Sequence, residues 1–206
     1  MAFLYEVFLL TFVGSLVGAQ VINWGRCPDF SVEQNFNTTA YLGTWYEIEK
    51  FPARFERGQK CIQATYELED TGHIRVTNEG IDIETGEATS IVGDAYAPDP
   101  NEPAKLKVRF FWWQPAGDYW VLRTDYHTFS VVYSCQDFFG IVRAELAWIL
   151  SRERTLDAIV LDSLLVNLED MGLNINYFQS TNQTGCDEGQ AKPSWDREEE
   201  HYLIFS

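Results

Sequence analysis

At 206 residues, with 46% apolar and 22% charged side chains, the chain has the makeup of a globular protein rather than a disordered one. Its formal net charge of −16 opposes phosphate backbones and anionic membranes, which excludes nucleic-acid binding through a basic patch. The aromatic share of 15% must fill a core or line a cavity.

The chain opens on an apolar run from Phe8 to Leu16, too short to span a bilayer and followed by the small residues Val17 and Ala19. Residues 1–19 are therefore expected to be a secretory signal peptide, with Glu6 where a basic residue is usual. Residues 20–186 are expected to form the folded domain, and residues 187–206 an acidic, disordered tail. Thr44–Lys50 reads as a strand ended by Pro52. Next, Ile62, Ala64, Tyr66 and Leu68 alternate with polar neighbours, Asp70-Thr71-Gly72 makes a turn, and Ile74 and Val76 continue the alternation. That is a hairpin with one wet face. Gly86–Ala97 is a further run, ended by a proline-rich stretch. Leu106, Val108, Phe110 and Trp112 follow at period two; Tyr119–Asp125, Phe129–Cys135 and Leu146–Ser151 complete the series. About eight short strands without an intervening helix form an antiparallel meander, which can close into a barrel or pack as a sandwich.

From Leu156 the period changes. Leu156, Ile159, Val160, Leu164, Leu165, Leu168 and Met171 fall on one helical face, with Thr155 as the expected cap and Gly172 as the stop. A last short strand is expected around Ile175–Gln179.

Cys27, Cys61, Cys135 and Cys186 are even in number and far apart, with no C-x-x-C pair. In a secreted chain this spacing argues for two disulfides and no metal site, and it leaves three pairings open. His73, His127 and His201 are scattered and form neither a metal pair nor a dyad. Nucleophile elbow, phosphate loop and dinucleotide fingerprint are all missing from the sequence, so no enzyme is expected. Asn37 and Asn182 head glycosylation sequons.

Gly43-Thr44-Trp45, then Thr124-Asp125-Tyr126, then Arg152 stand in an order that resembles the three signature motifs of the lipocalins. The stretches at 61–64, 102–106, 132–135 and 147–150 resemble the branch of apolipoprotein D, the bilin-binding proteins and the Lazarillo-like lipocalins. The resemblance covers roughly residues 24 to 186. It implies an all-β fold: an eight-stranded antiparallel up-and-down barrel with one C-terminal α-helix packed outside. It also implies that Arg152 lies across the Trp45 ring at the barrel floor, and that the bridges are Cys27–Cys135 and Cys61–Cys186.

The same resemblance places Tyr66, Asn78, Phe110, Tyr119 and Trp148 on inward rows as ligand-binding residues, with Leu68, Ile74, Val76, Val108 and Leu150 sharing those rows. Asn78 can donate and accept hydrogen bonds, and Trp148 offers a flat face for stacking. The implied function is a secreted, extracellular carrier of a small hydrophobic ligand: a bilin pigment, a steroid or a fatty-acid-like lipid. No cofactor is required, although a bound bilin or lipid is the expected cargo. The alternative is a signalling or surface-interaction protein acting through its loops. A catalytic alternative needs a free cavity thiol; Cys61 is the nearest candidate, and the implied bridge consumes it. Phe110–Trp113, if exposed near the mouth, suits weak contact with a membrane or receptor, and the expected state is a monomer or weak homo-oligomer.

Overall fold

The computed structural model describes residues 20–186, so the expected signal peptide and acidic tail lie outside the described residues. Eight antiparallel strands follow one another: β2 (Gly43–Lys50), β3 (Gln59–Leu68), β4 (Ile74–Asp82), β5 (Ala88–Tyr96), β6 (Lys105–Arg109), β7 (Gly117–Thr124), β8 (Phe129–Phe138) and β9 (Val142–Ser151). Each pairs with the next, and β9 pairs back onto β2, which closes the barrel and removes the open edges. Two short strands are added outside this ring. β1 (Val21–Trp24), absent from the sequence reading, pairs with the start of β9, and β10 (Gln179–Ser180) pairs with the end of β2.

Because the strands alternate in direction, the connections β2–β3, β4–β5, β6–β7 and β8–β9 all lie at one end, the mouth. A four-residue helix, α1 (Thr38–Tyr41), leads into the first barrel strand at the opposite end, the floor. One buried cluster fills the floor around Trp45, Tyr41, Tyr66, Val121 and Val132. The other lies between the barrel and α2 (Ala158–Asp170), where Val131, Tyr133 and Ile149 meet Leu164 and Leu168. Strand period two thus divides β8 and β9 into an inner and an outer row.

Three local expectations are corrected. The strand through Leu106, Val108, Phe110 and Trp112 stops at Arg109, because β5 and β7 offer it no partner beyond that point. Phe110 turns aside over Gly93, where a Cβ would stand 2.7 Å from the Phe110 ring. Helix α2 is capped by Asp157, not Thr155: its carboxylate accepts the Ile159 and Val160 N–H groups at 2.8 and 3.3 Å. That start leaves Ile159 outside the packed face, 80% exposed. The segment expected as a strand around Ile175–Gln179 is a 3-10 turn, Ile175–Tyr177, followed by the two residues of β10. Gly172 does end α2, with φ +91°, the left-handed conformation that glycine adopts freely.

Both disulfides join the pairs that the resemblance implied, Cys27–Cys135 and Cys61–Cys186. The first ties the N-terminal arm to the outer face of β8. The second ties the C-terminal segment to a bulge in β3, where Cys61 has φ +57°.

Candidate ligand cavity

The barrel encloses a cavity of about 430 Å³ that opens at the mouth. Its walls are the inward rows of the strands: Ile62, Ala64 and Tyr66 on β3, Val76 and Asn78 on β4, Ser134 and Gln136 on β8, and Leu146, Trp148 and Leu150 on β9. The lining is aromatic and aliphatic with a few dispersed polar groups, the usual makeup of a small-molecule pocket.

Trp45, wholly buried, forms the floor. Its indole N–H donates to the Tyr41 carbonyl at 2.9 Å, and the Arg152 guanidinium lies 3.7 Å from its ring centre. Arg152 also donates to the carbonyls of Ala40, Tyr41, Leu42, Thr44 and Tyr126, at 2.8 to 3.3 Å. One side chain thus gathers α1, the start of β2 and the β7–β8 turn. Gly43, with φ +92°, turns the chain between them close to that guanidinium. Asp125 fixes the same turn by accepting the N–H groups of His127, Thr128 and Phe129. Burial opposes its charge, but those N–H groups hold its carboxyl below the usual range. Thr124 Oγ1 donates to the Phe129 carbonyl, and the Tyr126 hydroxyl accepts the Asn37 N–H. All the motif residues therefore serve the floor.

Above Trp45 runs a chain of hydroxyls: Tyr66 to Tyr119 at 2.6 Å, Tyr119 to Tyr41 at 3.0 Å, and Tyr41 to Ser130 at 3.0 Å. Burial pushes Tyr41 up to about 12, partly offset by its hydrogen bonds and by Arg152, and pushes Tyr66 and Tyr119 well above the ordinary value. The phenols stay neutral, so the deep end of the cavity is polar but uncharged.

Nearer the mouth lies a second polar group. Lys50 Nζ stands 3.0 Å from a Glu47 oxygen and 2.9 Å from a Glu56 oxygen. The Trp148 indole N–H donates to Glu56 at 3.3 Å, and the Thr181 hydroxyl donates to Glu47. Burial, and then the Glu47 charge, push Glu56 up to about 8, which Lys50 and the indole only partly offset. Burial disfavours the Lys50 charge, yet the two carboxyl groups hold its value above the ordinary one. The Lys50 ammonium is thus shared by two carboxyl groups, of which burial drives Glu56 towards its neutral form.

Tyr66, Asn78, Phe110, Tyr119 and Trp148 all line the cavity, as do Val76, Val108 and Leu150. Leu68 and Ile74 share those rows by parity but do not line the cavity: Leu68 sits at a strand end, 55% exposed, and Ile74 is buried in the floor cluster. Glu47 and Glu56 were missed. Glu47 could have been found, since it stands two residues from Trp45 on the same strand and so on the same face. Glu56 lies on a loop turn, Arg54–Glu56, to which strand parity gives no clue. Asn37 and Asn182 are exposed and away from the cavity; Asn37 caps α1, and Asn182 Oδ1 accepts from Thr184. Cys61 is bonded to Cys186 and offers no thiolate.

A lipocalin-like domain model matches residues 36–183. The chain is 40% identical to apolipoprotein D of Macaca fascicularis over 183 residues, covering 87% of this chain and 96% of that one. It is 32% identical to the Lazarillo protein of Schistocerca americana over 161 residues, covering 77% of this chain and 75% of that one. Among solved structures, insecticyanin from the tobacco hornworm Manduca sexta is similar, with TM-score 0.70 and 27% identity over 81% of this chain and 90% of that one.

Proposed function

The chain belongs to the lipocalin family, and on that premise we propose that it is a secreted carrier that holds one small hydrophobic molecule inside the barrel. The observation that carries this reading is the 430 Å³ cavity, floored by Trp45 and lined by Tyr66, Asn78, Phe110, Tyr119 and Trp148. The cargo classes that fit are a bilin, a steroid or a fatty-acid-like lipid, with Trp148 stacking on a ring system and Asn78 meeting a polar edge. Two disulfides suit an oxidising compartment and support secretion. The binding itself needs neither a cofactor nor a nucleophile.

Filling the cavity tests the reading directly. Ala64 is small and lies opposite Trp45 on β2 and Asn78 on β4. Ala64→Trp is expected to weaken binding of a steroid or bilin by at least about 100-fold, or roughly 2.7 kcal/mol, measured by quenching of protein fluorescence. Unchanged affinity in a folded Ala64→Trp variant, or an absence of binding by any apolar ligand to the parent protein, overturns the carrier reading.

The mouth supports one addition. Phe55, Phe111, Trp112, Trp113, Phe139 and Ile141 are exposed on its loops, Trp112 by 86% and Phe139 by 97%. With a net charge of −16, a neutral phospholipid surface is the partner this rim suits best, and ligand exchange there would avoid water. Replacing Trp112 and Trp113 by serine is expected to lower affinity for phosphatidylcholine vesicles by about tenfold, measured by flotation. Equal flotation of both proteins would refute the rim's role.

A further inference from the structure

A second apolar recess lies outside the barrel, along the seam between α2 and strands β7 and β8. It has a volume of about 360 Å³; Phe129 and Val131 of β8 form one wall, Leu164, Leu168 and Met171 of α2 the other, and Arg123 of β7 joins them. None of these residues lines the barrel cavity. From Ile159 to Met171, both of which line it, the recess runs roughly 18 Å along the helix.

Two features of this seam go beyond what packing the helix requires. The first is Arg123. Strict alternation from Val121, which packs in the floor cluster, would send Arg123 inward as well. Instead the register of β7 against β8 shifts between Val121 and Arg123, and this bulge sets Arg123 opposite Val131 on the outer face. There the side chain is exposed, and its guanidinium makes no hydrogen bond or ion pair among the described residues. The second is Ile159. It lines the seam yet is 80% exposed, a large apolar side chain held at the lip with nothing over it. Ser163 and Asn167, at helical spacing from it, continue that lip, and the Asn167 amide is tied back to the Ser163 carbonyl at 2.6 Å. Arg123 is the only charged residue of the described lining, so the seam offers one cation and no carboxylate.

We propose that this seam binds a single acyl chain with an anionic head, a free fatty acid being the simplest case. Its carboxylate sits on Arg123 and its chain lies between α2 and β8, covering Ile159 and Phe129. A flexible chain can follow a seam between a helix and a curved sheet, which a flat, rigid ring system cannot. The net charge of −16 does not prevent this, because fields beyond about 8 Å are screened at physiological ionic strength, whereas a guanidinium and a carboxylate meet at hydrogen-bond distance. That charge does favour a free monomer over an anionic bilayer as the occupant. The site goes beyond the carrier reading and stands independently of it, since a protein with a filled cavity still presents the seam.

Dodecanoate and dodecanol, titrated below their aggregation concentrations, test the site through two separate readouts. No tryptophan lines the seam, whereas Trp45 and Trp148 line the cavity. Quenching of protein fluorescence therefore reports the cavity, and the methyl resonances of Ile159, Val160 and Met171 report the seam. Dodecanoate is expected to shift those resonances saturably, with dodecanol binding there about tenfold more weakly. In Arg123→Gln, a change at an exposed position, the dodecanoate affinity read at the seam is expected to fall about tenfold while that read by quenching is unchanged. Seam resonances that stay still under dodecanoate, or that titrate with the same affinity in Arg123→Gln, overturn the inference, and quenching in the same titration leaves the carrier reading standing. Seam shifts without any quenching uphold the seam and overturn the carrier reading alone.

Discussion

Replacing Trp45 with alanine is expected to lower the stability of the fold by about 4 kcal/mol, at the upper end for a single core truncation. The side chain is wholly buried and packs against Tyr41 at 5.1 Å between ring centres. Its loss leaves a cavity that the closed barrel cannot collapse to fill, because neighbouring strands are held by their ladders on both sides. It also removes the ring beneath Arg152, a contact worth about 0.5–2 kcal/mol. Arg152 itself stays in place through its five carbonyl bonds, so the lost energy is mostly burial and packing. Trp45→Phe keeps a ring there and is expected to cost about half as much. Urea unfolding followed by circular dichroism measures both. A loss below about 1 kcal/mol for Trp45→Ala would show that the floor is not what holds the barrel closed.

The division of labour between floor and wall explains what could be read from the sequence. Period-two alternation along β3, β4 and β9 is a direct consequence of the pleat, so inward residues such as Tyr66, Asn78 and Trp148 follow from parity once the barrel is assumed. Alternation alone left a sandwich open. The motif residues decided for the barrel through their resemblance to the lipocalins; in the structure positions 45, 124–126 and 152 converge on one arginine, a relation that no local pattern expresses. What stayed hidden is of another kind. Phe110 lies on an expected strand, but strand length is set by partners: β7 meets β6 only as far as Val108, so the aromatic run spills into the mouth loop. Asp157 displaced Thr155 as cap because the chain leaving β9 must first bring Thr155 against Ser151, whose hydroxyl donates to the Thr155 carbonyl. The Glu47, Lys50 and Glu56 cluster depends on a bulge between Glu47 and Glu49 and on a loop turn. Neither has a periodic signature.

The bridge between Cys61 and Cys186 closes the longer of the two loops, with a separation of 125 residues, and replacing both cysteines with serine is expected to cost about 4–5 kcal/mol. The chain-entropy argument gives nearly the same figure for Cys27–Cys135, separated by 108, because the cost grows only with the logarithm of loop length. The two bridges should therefore be alike in stability and unlike in function. Behind Cys186, Gln183 donates to the carbonyls of Glu47 and Ile62, Thr181 donates to the Glu47 carboxylate, and β10 pairs with Lys50. Freeing that segment exposes the back of the charged wall to water, which weakens every electrostatic contact there. Cys27–Cys135 sits on the outer face of β8, among the residues packed towards α2, and neither of its cysteines lines the cavity. Both double-serine variants are expected to show urea midpoints lowered by a similar amount. Only Cys61→Ser/Cys186→Ser should also lose affinity for an apolar ligand under conditions where it remains folded. Equal affinity in the two variants would mean that the wall holds its geometry without the C-terminal segment, and that β2 and the Arg54–Glu56 turn suffice to position Glu47 and Glu56.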